Sequence, residues 1–182
     1  KPDPEKMKAF KASHPDNLAQ SEYLAANNPP VSYANSAFWG IHTFKFVGKG
    51  DKTTLVRWRF VPQDGEKRLS DEELKTAGAN FLEPALISRA QQGPVRWDML
   101  VTIGQPGDPE DNPTLAWPDE RKQIKAGTLT ITAAMPQKGA DCEPINFDPL
   151  VMADGLAATR DPVLQFRSPS YAISFAKRLG GL

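Results

Sequence analysis

The sequence predicts an α+β fold, in which antiparallel strands form a sheet flanked by helices. The first observation is a pair of strand-like segments, Phe38 to Val47 and Thr53 to Val61, joined by the turn residues Gly48 to Asp51. This pattern is typical of a β-hairpin. The second observation is that the helix signals stand apart from the strand signals, near both ends of the chain and again after the hairpin. Antiparallel strands with flanking helices make up an α+β fold.

Two further segments, Pro94 to Ile103 and Gly127 to Met135, alternate apolar and polar residues and predict two more strands. Apolar side chains on both faces of the first strand, such as Ile41 and Phe44, predict a sheet that is covered on both sides. We expect Pro94 to Ile103 to be an exposed edge strand that needs a partner. The segment from Pro136 to Arg160 carries neither pattern and is predicted to be irregular.

Three helices are predicted before the C-terminal one. The first extends from Asp3 to about Ser13 and the second from about Pro15 to Ala26. A capping box begins the third, which extends from Ser70 to about Ala90 with a kink or break expected at Pro84. His14 lies in the polar turn between the first two helices, and we interpret it as a solvated or capping residue rather than a catalytic one.

Length and composition predict one domain, and we assign residues 1–182 to a single lobe. Lys+Arg and Asp+Glu are both 22, so the net charge of zero does not indicate a nucleic acid as a partner. Cys142 is the single cysteine, which excludes an internal disulfide and a multi-cysteine metal site. No apolar run approaches the about 20 residues of a membrane span.

The C-terminal stretch Asp161 to Gly181 is predicted to be a loop that continues into one helix. Ser168 suits the N-cap of that helix and Pro169 suits its first position, where a missing N–H costs nothing. Gly180 lies where a C-cap glycine is expected.

Three side chains of this helix suggest a chemistry. Tyr171 and Arg178 are seven residues apart and share a face, and Arg167 precedes Tyr171 by four residues, within reach of its phenol. A guanidinium beside a phenol favours the charged phenolate, which is a hard ligand suited to ferric iron. If that iron belongs to a cofactor with carboxylate groups, Arg178 could pair with one of them. From spacing alone, the simpler interpretation is favoured: an amphipathic helix with a half-buried tyrosine and surface arginines.

The same stretch resembles the proximal haem segment of the catalase superfamily. The spacing is shared by four residues, Asp161, Arg167, Tyr171 and Arg178. The local run Arg-Ser-Pro-Ser-Tyr-Ala-Ile-Ser is similar to the small catalase-related peroxidases. It departs from the large catalases, in which an Asp-Thr-containing run follows the tyrosine. The resemblance therefore speaks for haem binding more than for vigorous peroxide dismutation.

Two more segments carry the resemblance. Gly-Ile-His42-Thr-Phe is similar to the Gly-Ser-His-Thr-Phe stretch of catalases, whose His belongs to a proximal network. The resemblance implies a chain of four side chains, His42, Asp161, Arg167 and Tyr171. On sequence alone, His42 is a core histidine bonded to a backbone carbonyl. Asn146-Phe-Asp-Pro149 is similar to the Phe-Asp-Pro segment that passes under the haem, and a surface loop anchored by Phe147 is the equal alternative.

The resemblance covers nearly the whole chain and implies its fold, cofactor and site. The chain would be the C-terminal half of the catalase core, its strands forming part of a catalase-like β-barrel and its C-terminal helix carrying the haem ligand. A segment N-terminal to Lys1 would complete the barrel. The cofactor would be haem (heme), with Tyr171 as the ligand of its iron. The implied catalytic residues are Tyr171, Arg167, His42 and Asp161. The implied cofactor-binding residues are Arg167, Arg178, Phe147, Val163 and Phe175.

The resemblance implies a haem-dependent peroxidase or catalase-like oxidoreductase that acts on hydrogen peroxide and uses an organic electron donor. This chain would supply the proximal haem side, and the distal catalytic His would lie outside it. Alternatives are a non-enzymatic haem-binding module, a hydroperoxide-rearranging haem enzyme of the same superfamily, and a structural remnant without cofactor. The sequence does not decide whether the protein is a homo-oligomer. The expected location is periplasmic or cytoplasmic, with the periplasm favoured by the resemblance to the small peroxidases.

Overall fold

The computed structural model describes residues 3–15, 18–136 and 139–180. The strands are β1 (Phe38–Val47), β2 (Thr53–Pro62), β3 (Val95–Ile103), β4 (Gln123–Ile131) and β5 (Leu156–Ala158). The helices are α1 (Pro4–Ser13), α2 (Ala19–Ala26), α3 (Asp71–Thr76), α4 (Leu82–Gln91) and α5 (Pro162–Leu179). The strands form one antiparallel five-stranded sheet in the order β4-β3-β2-β1-β5. The predicted α+β class is confirmed.

Strands β1 and β2 form the predicted hairpin, but their pairing shifts in the middle of β1. Gly40 pairs with Trp58 and Phe44 pairs with Val56, so four residue steps of β1 face two of β2. Such a bulge turns side chains out of the regular alternation. It contains His42, whose side chain is only 3% exposed. A Cβ on Gly40 would lie 2.8 Å from Trp58 Nε1, so only glycine lets the indole cross the strand here.

The core between the sheet and α5 is built from aromatic and branched side chains. Its buried members are Phe44, Val56, Val101 and Leu164. The rings of Phe44 and Trp58 stack with their centroids 4.7 Å apart. Leu164 is fully buried, and burial of a leucine side chain contributes about 2 kcal/mol. This contact holds the first turns of α5 on the sheet.

The prediction that Pro94 to Ile103 forms an edge strand is wrong. Strand β3 pairs with β2 on one side and with β4 on the other. Its apolar residues Val95, Trp97 and Val101 are accordingly buried. The edges of the described sheet are β4 and the short β5. Continuous alternation predicted the strand correctly, but the place of a strand in a sheet depends on its partners, which are distant in sequence.

The third predicted helix is in fact two helices. Helix α3 ends where Ala77 takes an extended conformation, with ψ 131°, and α4 begins at Leu82. Pro84 lies in the first turn of α4, where its missing N–H removes no intrahelical hydrogen bond. The break therefore precedes the proline instead of occurring at it. No helix in the described ranges combines the length and the apolar character needed to cross a bilayer.

The last two strands of the sheet also differ from the prediction. Strand β4 begins at Gln123, four residues before the predicted start, and ends at Ile131. The segment predicted to be irregular contains β5, which pairs with β1 through Phe44 and Ala158. Three residues are too few for a periodic signal, so pairing with an existing strand creates this element.

The loop between β3 and β4 is fastened by an ion pair. Arg121 donates through Nη2 and Nε to the two carboxylate oxygens of Asp108, at 2.8 and 2.9 Å. The backbone N–H of Gln105 donates to the same carboxylate at 2.7 Å. The Arg121 hydrogen bonds, opposed by burial and helped by the Gln105 N–H, lower the pKa of Asp108.

This shift predicts a pH dependence of stability. Because the pKa of Asp108 is lower in the folded chain than the about 4 of an unfolded aspartate, its contribution is complete above about pH 4. It is lost as the pH falls through the folded-state pKa. We expect Asp108→Asn to reduce the loss of unfolding free energy that occurs as the pH falls below about 4, measured by urea titration at each pH. The control is Asp119→Asn in the same loop, and equal profiles for the two variants would contradict the assignment.

Candidate functional site

Helix α5 begins at Pro162 because Asp161 caps it. Asp161 Oδ1 accepts the N–H groups of the two residues after Pro162, at 2.8 and 3.2 Å. Pro162 occupies the first helical position, as Pro4 does after the cap Asp3 in α1. The predicted N-cap Ser168 therefore lies inside the helix, together with Pro169, and the predicted loop before it is wrong.

The other oxygen of the capping carboxylate contacts His42. Asp161 Oδ2 lies 2.6 Å from His42 Nδ1, and the two side chains are 1% and 3% exposed. Buried polar groups need such partners, because each would otherwise lose its hydrogen bonds to water. The contact joins β1 to α5, so the structure brings together these two predicted site residues.

The second pair of predicted residues lies further along α5. Arg167 Nη2 donates to the Tyr171 hydroxyl at 2.5 Å, and the guanidinium carbon lies 5.1 Å from the ring centroid. The implied four-residue chain is interrupted, since no hydrogen bond or ion pair in the described ranges joins Asp161 to Arg167. The negative charge of Asp161 acts instead on Arg57. Burial lowers the pKa of Arg57, and the charges of Asp108 and Asp161 oppose that shift.

Tyr171 lies at a groove of about 300 Å³ between α5 and the segment before β5. The lining residues are Asn146, Phe147, Ser170, Tyr171, Ser174, Phe175 and Arg178. Arg178 Nη2 donates to the carbonyl of Ile145 at 2.8 Å, and its guanidinium lies 5.3 Å from the Phe175 ring. The groove thus brings together three predicted cofactor-binding residues with the predicted ligand. Val163 does not line it and is 50% exposed at the start of α5.

Sequence reasoning missed a pair of residues beside this groove, Asp148 and Ser168. The Ser168 hydroxyl donates to Asp148 Oδ2, and the Leu150 N–H donates to Oδ1 at 2.8 Å. These two bonds lower the pKa of Asp148, and the bond from Ser168 has the larger effect. The charge of Arg167 acts in the same direction. The Asp-Pro dipeptide is a turn signal that could have marked Asp148. No local signal marked Ser168 as its partner, twenty residues away.

A larger cavity, of about 390 Å³, lies in another part of the described structure. Its walls include Trp39, Arg57 and Trp117, and the Arg57 guanidinium lies 4.7 Å from the Trp117 ring. None of the site residues predicted from the sequence lines it. The Tyr171 groove is smaller, but it contains the predicted iron ligand and three of the predicted cofactor-binding residues.

Comparison with known proteins identifies relatives of this arrangement. A family model described as Catalase matches residues 1–181. A catalase-related peroxidase of Synechococcus elongatus is 63% identical over 182 residues, which are 100% of this chain and 54% of the relative. A catalase-related peroxidase of Mycolicibacterium paratuberculosis is 34% identical over 169 residues, covering 92% of this chain and 54% of that protein.

Solved structures agree on the fold. A bacterial catalase superposes with a TM-score of 0.81 at 23% identity, over 93% of this chain and 35% of that one. A fungal catalase superposes with a TM-score of 0.73 at 25% identity, over 83% of this chain and 32% of that one. The predicted resemblance and the catalase-like half-barrel sheet are thus confirmed. The chain spans about half the length of the curated relatives it matches, and over that span it belongs to the catalase family.

Proposed function

We propose that this chain is the proximal half of a haem-dependent peroxidase that acts on hydrogen peroxide. The observation that carries the proposal is the position of Tyr171. Its hydroxyl accepts a hydrogen bond from Arg167, and it shares one groove with Phe147, Phe175 and Arg178. Two curated relatives named as catalase-related peroxidases support the same activity.

The residues at the groove fit a haem. A porphyrin has flat apolar faces and carboxylate side chains, and its ferric iron takes an anionic ligand. Phe147 and Phe175 supply aromatic rings beside the groove. Arg178 uses one N–H on a backbone carbonyl and keeps other donors for a carboxylate. Arg167 places a positive charge at the oxygen of Tyr171, which is the arrangement a phenolate ligand requires.

The chemistry is divided between the cofactor and the chain. When bound, haem iron supplies the redox chemistry that cleaves the O–O bond, while an organic donor provides the electrons and protons that turn both oxygens into water. This chain forms the proximal side of the haem site. Tyr171 would bind the iron, and the Arg167 guanidinium would stabilise the negative charge of the Tyr171 phenolate. The buried pair of His42 and Asp161 fastens the start of α5 to β1, so the ligand helix keeps its position relative to the sheet.

The proposal includes an N-terminal segment outside this chain that completes the barrel and provides the distal acid–base His. The matched length of the relatives supports it, because the chain covers 54% of each. The exposed edge of β4 also supports it. Ile124 and Leu129 on this strand are 40% and 46% exposed, and an edge strand offers unpaired backbone groups to another strand.

The same proposal includes an organic electron donor and a homo-oligomeric state. It also includes a periplasmic or cytoplasmic location, of which the sequence resemblance favours the periplasm. The donor follows from peroxidase chemistry, since peroxide reduction needs an external source of electrons. Each of these properties concerns the whole protein rather than the residues of the groove.

The test measures haem binding and turnover by the protein isolated together with the N-terminal segment that provides the distal His. We expect a Soret band on haem addition and peroxide-dependent oxidation of a phenolic donor. A Soret band without turnover would favour a haem-binding module, and conversion of a lipid hydroperoxide without donor oxidation would favour a rearranging enzyme. If no Soret band forms, the proposal fails and the structural remnant remains.

A further inference from the structure

The segment Ile145 to Asp148 is fastened to α5 at both of its ends. At one end, Arg178 donates to the Ile145 carbonyl at 2.8 Å, and at the other the Ser168 hydroxyl donates to Asp148 Oδ2. Ser168 and Arg178 are ten residues apart in one helix, about 15 Å along its axis. The three residue steps of the segment reach at most about 11 Å, and the Arg178 side chain bridges the rest. The segment therefore runs antiparallel to α5.

The two residues between these attachments are Asn146 and Phe147, and both line the groove of Tyr171. Phe147 is itself 60% exposed, so packing against the protein does not hold its ring in place. Its position depends on the backbone on either side. The attachment at Asp148 is the nearer one, since it involves the adjacent residue.

Asp148 is suited to this task because its carboxylate is bonded on both sides. Oδ1 accepts the Leu150 N–H at 2.8 Å, which closes a turn at Pro149, while Oδ2 accepts the Ser168 hydroxyl. Leu150, after the turn, packs against the core cluster of Leu164. The carboxylate thus ties the groove wall both to the helix and, through the turn, to the core.

Asp148 also acts on charge. Ser168 directly follows Arg167 in α5, and the positive charge of Arg167 contributes to the low pKa of the Asp148 carboxyl. Because Asp148 is bonded to the residue that follows Arg167, an anion is held on the same turn of α5 as the guanidinium that binds the Tyr171 hydroxyl. The net field of the arginine at that hydroxyl is smaller than the arginine alone would produce.

We infer that Asp148 is a positioning residue of the cofactor groove: through Ser168 it holds the Phe147 segment along α5, and its negative charge offsets that of Arg167 beside Tyr171. The inference rests on the proposed haem function. It separates two effects, attachment and charge, which two conservative variants can remove one at a time.

The experiment compares Ser168→Ala and Asp148→Asn in the haem-loaded protein as isolated. Ser168→Ala removes the attachment and keeps the charge, so haem should transfer to an apo-globin acceptor about tenfold faster, with little change in reduction potential. Ser168→Thr restores the hydroxyl and should restore the slow rate. Asp148→Asn removes the charge. Its Oδ1 can still accept the Leu150 N–H, and its Nδ2 can donate to Ser168 Oγ in place of the bond that Asp148 Oδ2 accepts. The reduction potential of the iron should therefore rise while the transfer rate changes little.

A matched control and a cofactor-free measurement make the outcome decisive. Asp154→Asn removes an equal charge from an exposed site between Asp148 and β5 and should leave the potential as in the parent. In the haem-free protein, Asp148→Ala should speed hydrogen exchange of the Leu150 amide more than tenfold, because its acceptor is gone. A parent that retains no haem contradicts the proposed function, while the exchange result still shows whether the Asp148 carboxylate holds the turn that ends the groove wall. Equal transfer rates for the Ala and Thr variants, or equal potentials for the Asp148 and Asp154 variants, would overturn the inference.

Discussion

Replacing Tyr171 by phenylalanine is expected to weaken haem binding by at least about a hundredfold, because it removes the phenol oxygen that we propose as the iron ligand. The substitution deletes only the hydroxyl. The ring keeps its place under the Arg167 guanidinium, whose centre lies 5.1 Å from the ring centroid. The fold should persist, since the residue is half-buried on a helix that the buried Leu164 and Asp161 hold on the sheet. Haem titration followed at the Soret band measures the loss.

The chain offers a matched control for that experiment. Arg68 Nη2 donates to the Tyr23 hydroxyl at 2.5 Å, with its guanidinium 5.5 Å from the ring centroid. Tyr23→Phe therefore breaks an arginine–phenol hydrogen bond of the same geometry at a place away from the groove. It should leave haem binding unchanged. Identical spectra for the Tyr171 variant and the parent would show that another residue is the ligand.

Replacing Asp161 by alanine is expected to lower the free energy of unfolding by about 3 kcal/mol, of which the lost helix cap accounts for about 1 and the unpaired buried histidine for about 2. Both effects arise from one carboxylate, which caps α5 through one oxygen and contacts His42 Nδ1 through the other at 2.6 Å. Urea unfolding followed by circular dichroism gives the value. Asp161→Asn keeps an acceptor for the cap and should cost less.

The start of α1 provides the comparison that isolates the buried pair. Asp3 caps that helix in the same way, accepting the N–H groups of Glu5 and Lys6 at 3.0 and 3.4 Å, but it is exposed and has no histidine partner. Asp3→Ala should therefore cost about 1 kcal/mol or less. If Asp161→Ala costs no more than Asp3→Ala, the contact with His42 does not stabilise the fold, and its proposed role in fixing the ligand helix fails.

Local patterns in the sequence were sufficient for most strands and helices. The strand-like pattern of β1 and the turn after it predicted both ends of that strand correctly. The patterns of β2 and β3 predicted the ends of those strands to within one residue. The cap at Asp3 and the capping box at Ser70 predicted where α1 and α3 begin. These signals act through hydrogen bonds and side-chain directions within a few residues, so they are present in the sequence as written.

The spacing along α5 was equally informative about part of the site. Residues four and seven apart on a helix share a face whatever surrounds the helix, and Arg167, Tyr171 and Arg178 follow that rule. The hydrogen bond of the first two and the shared groove of the last two were therefore predictable. The resemblance to catalases, carried by the same residues, is confirmed by the family match.

Only the tertiary structure decided which elements meet. It placed β3 in the interior of the sheet and formed β5 by pairing with β1. It also joined Asp148 to Ser168 and left Asp161 without a direct bond to Arg167 in the described ranges. Each of these depends on groups far apart in sequence, whose contact is set by packing the sheet against α5. Burial then selects the pairs, because a polar group removed from water is stable only beside a partner that the fold brings to it.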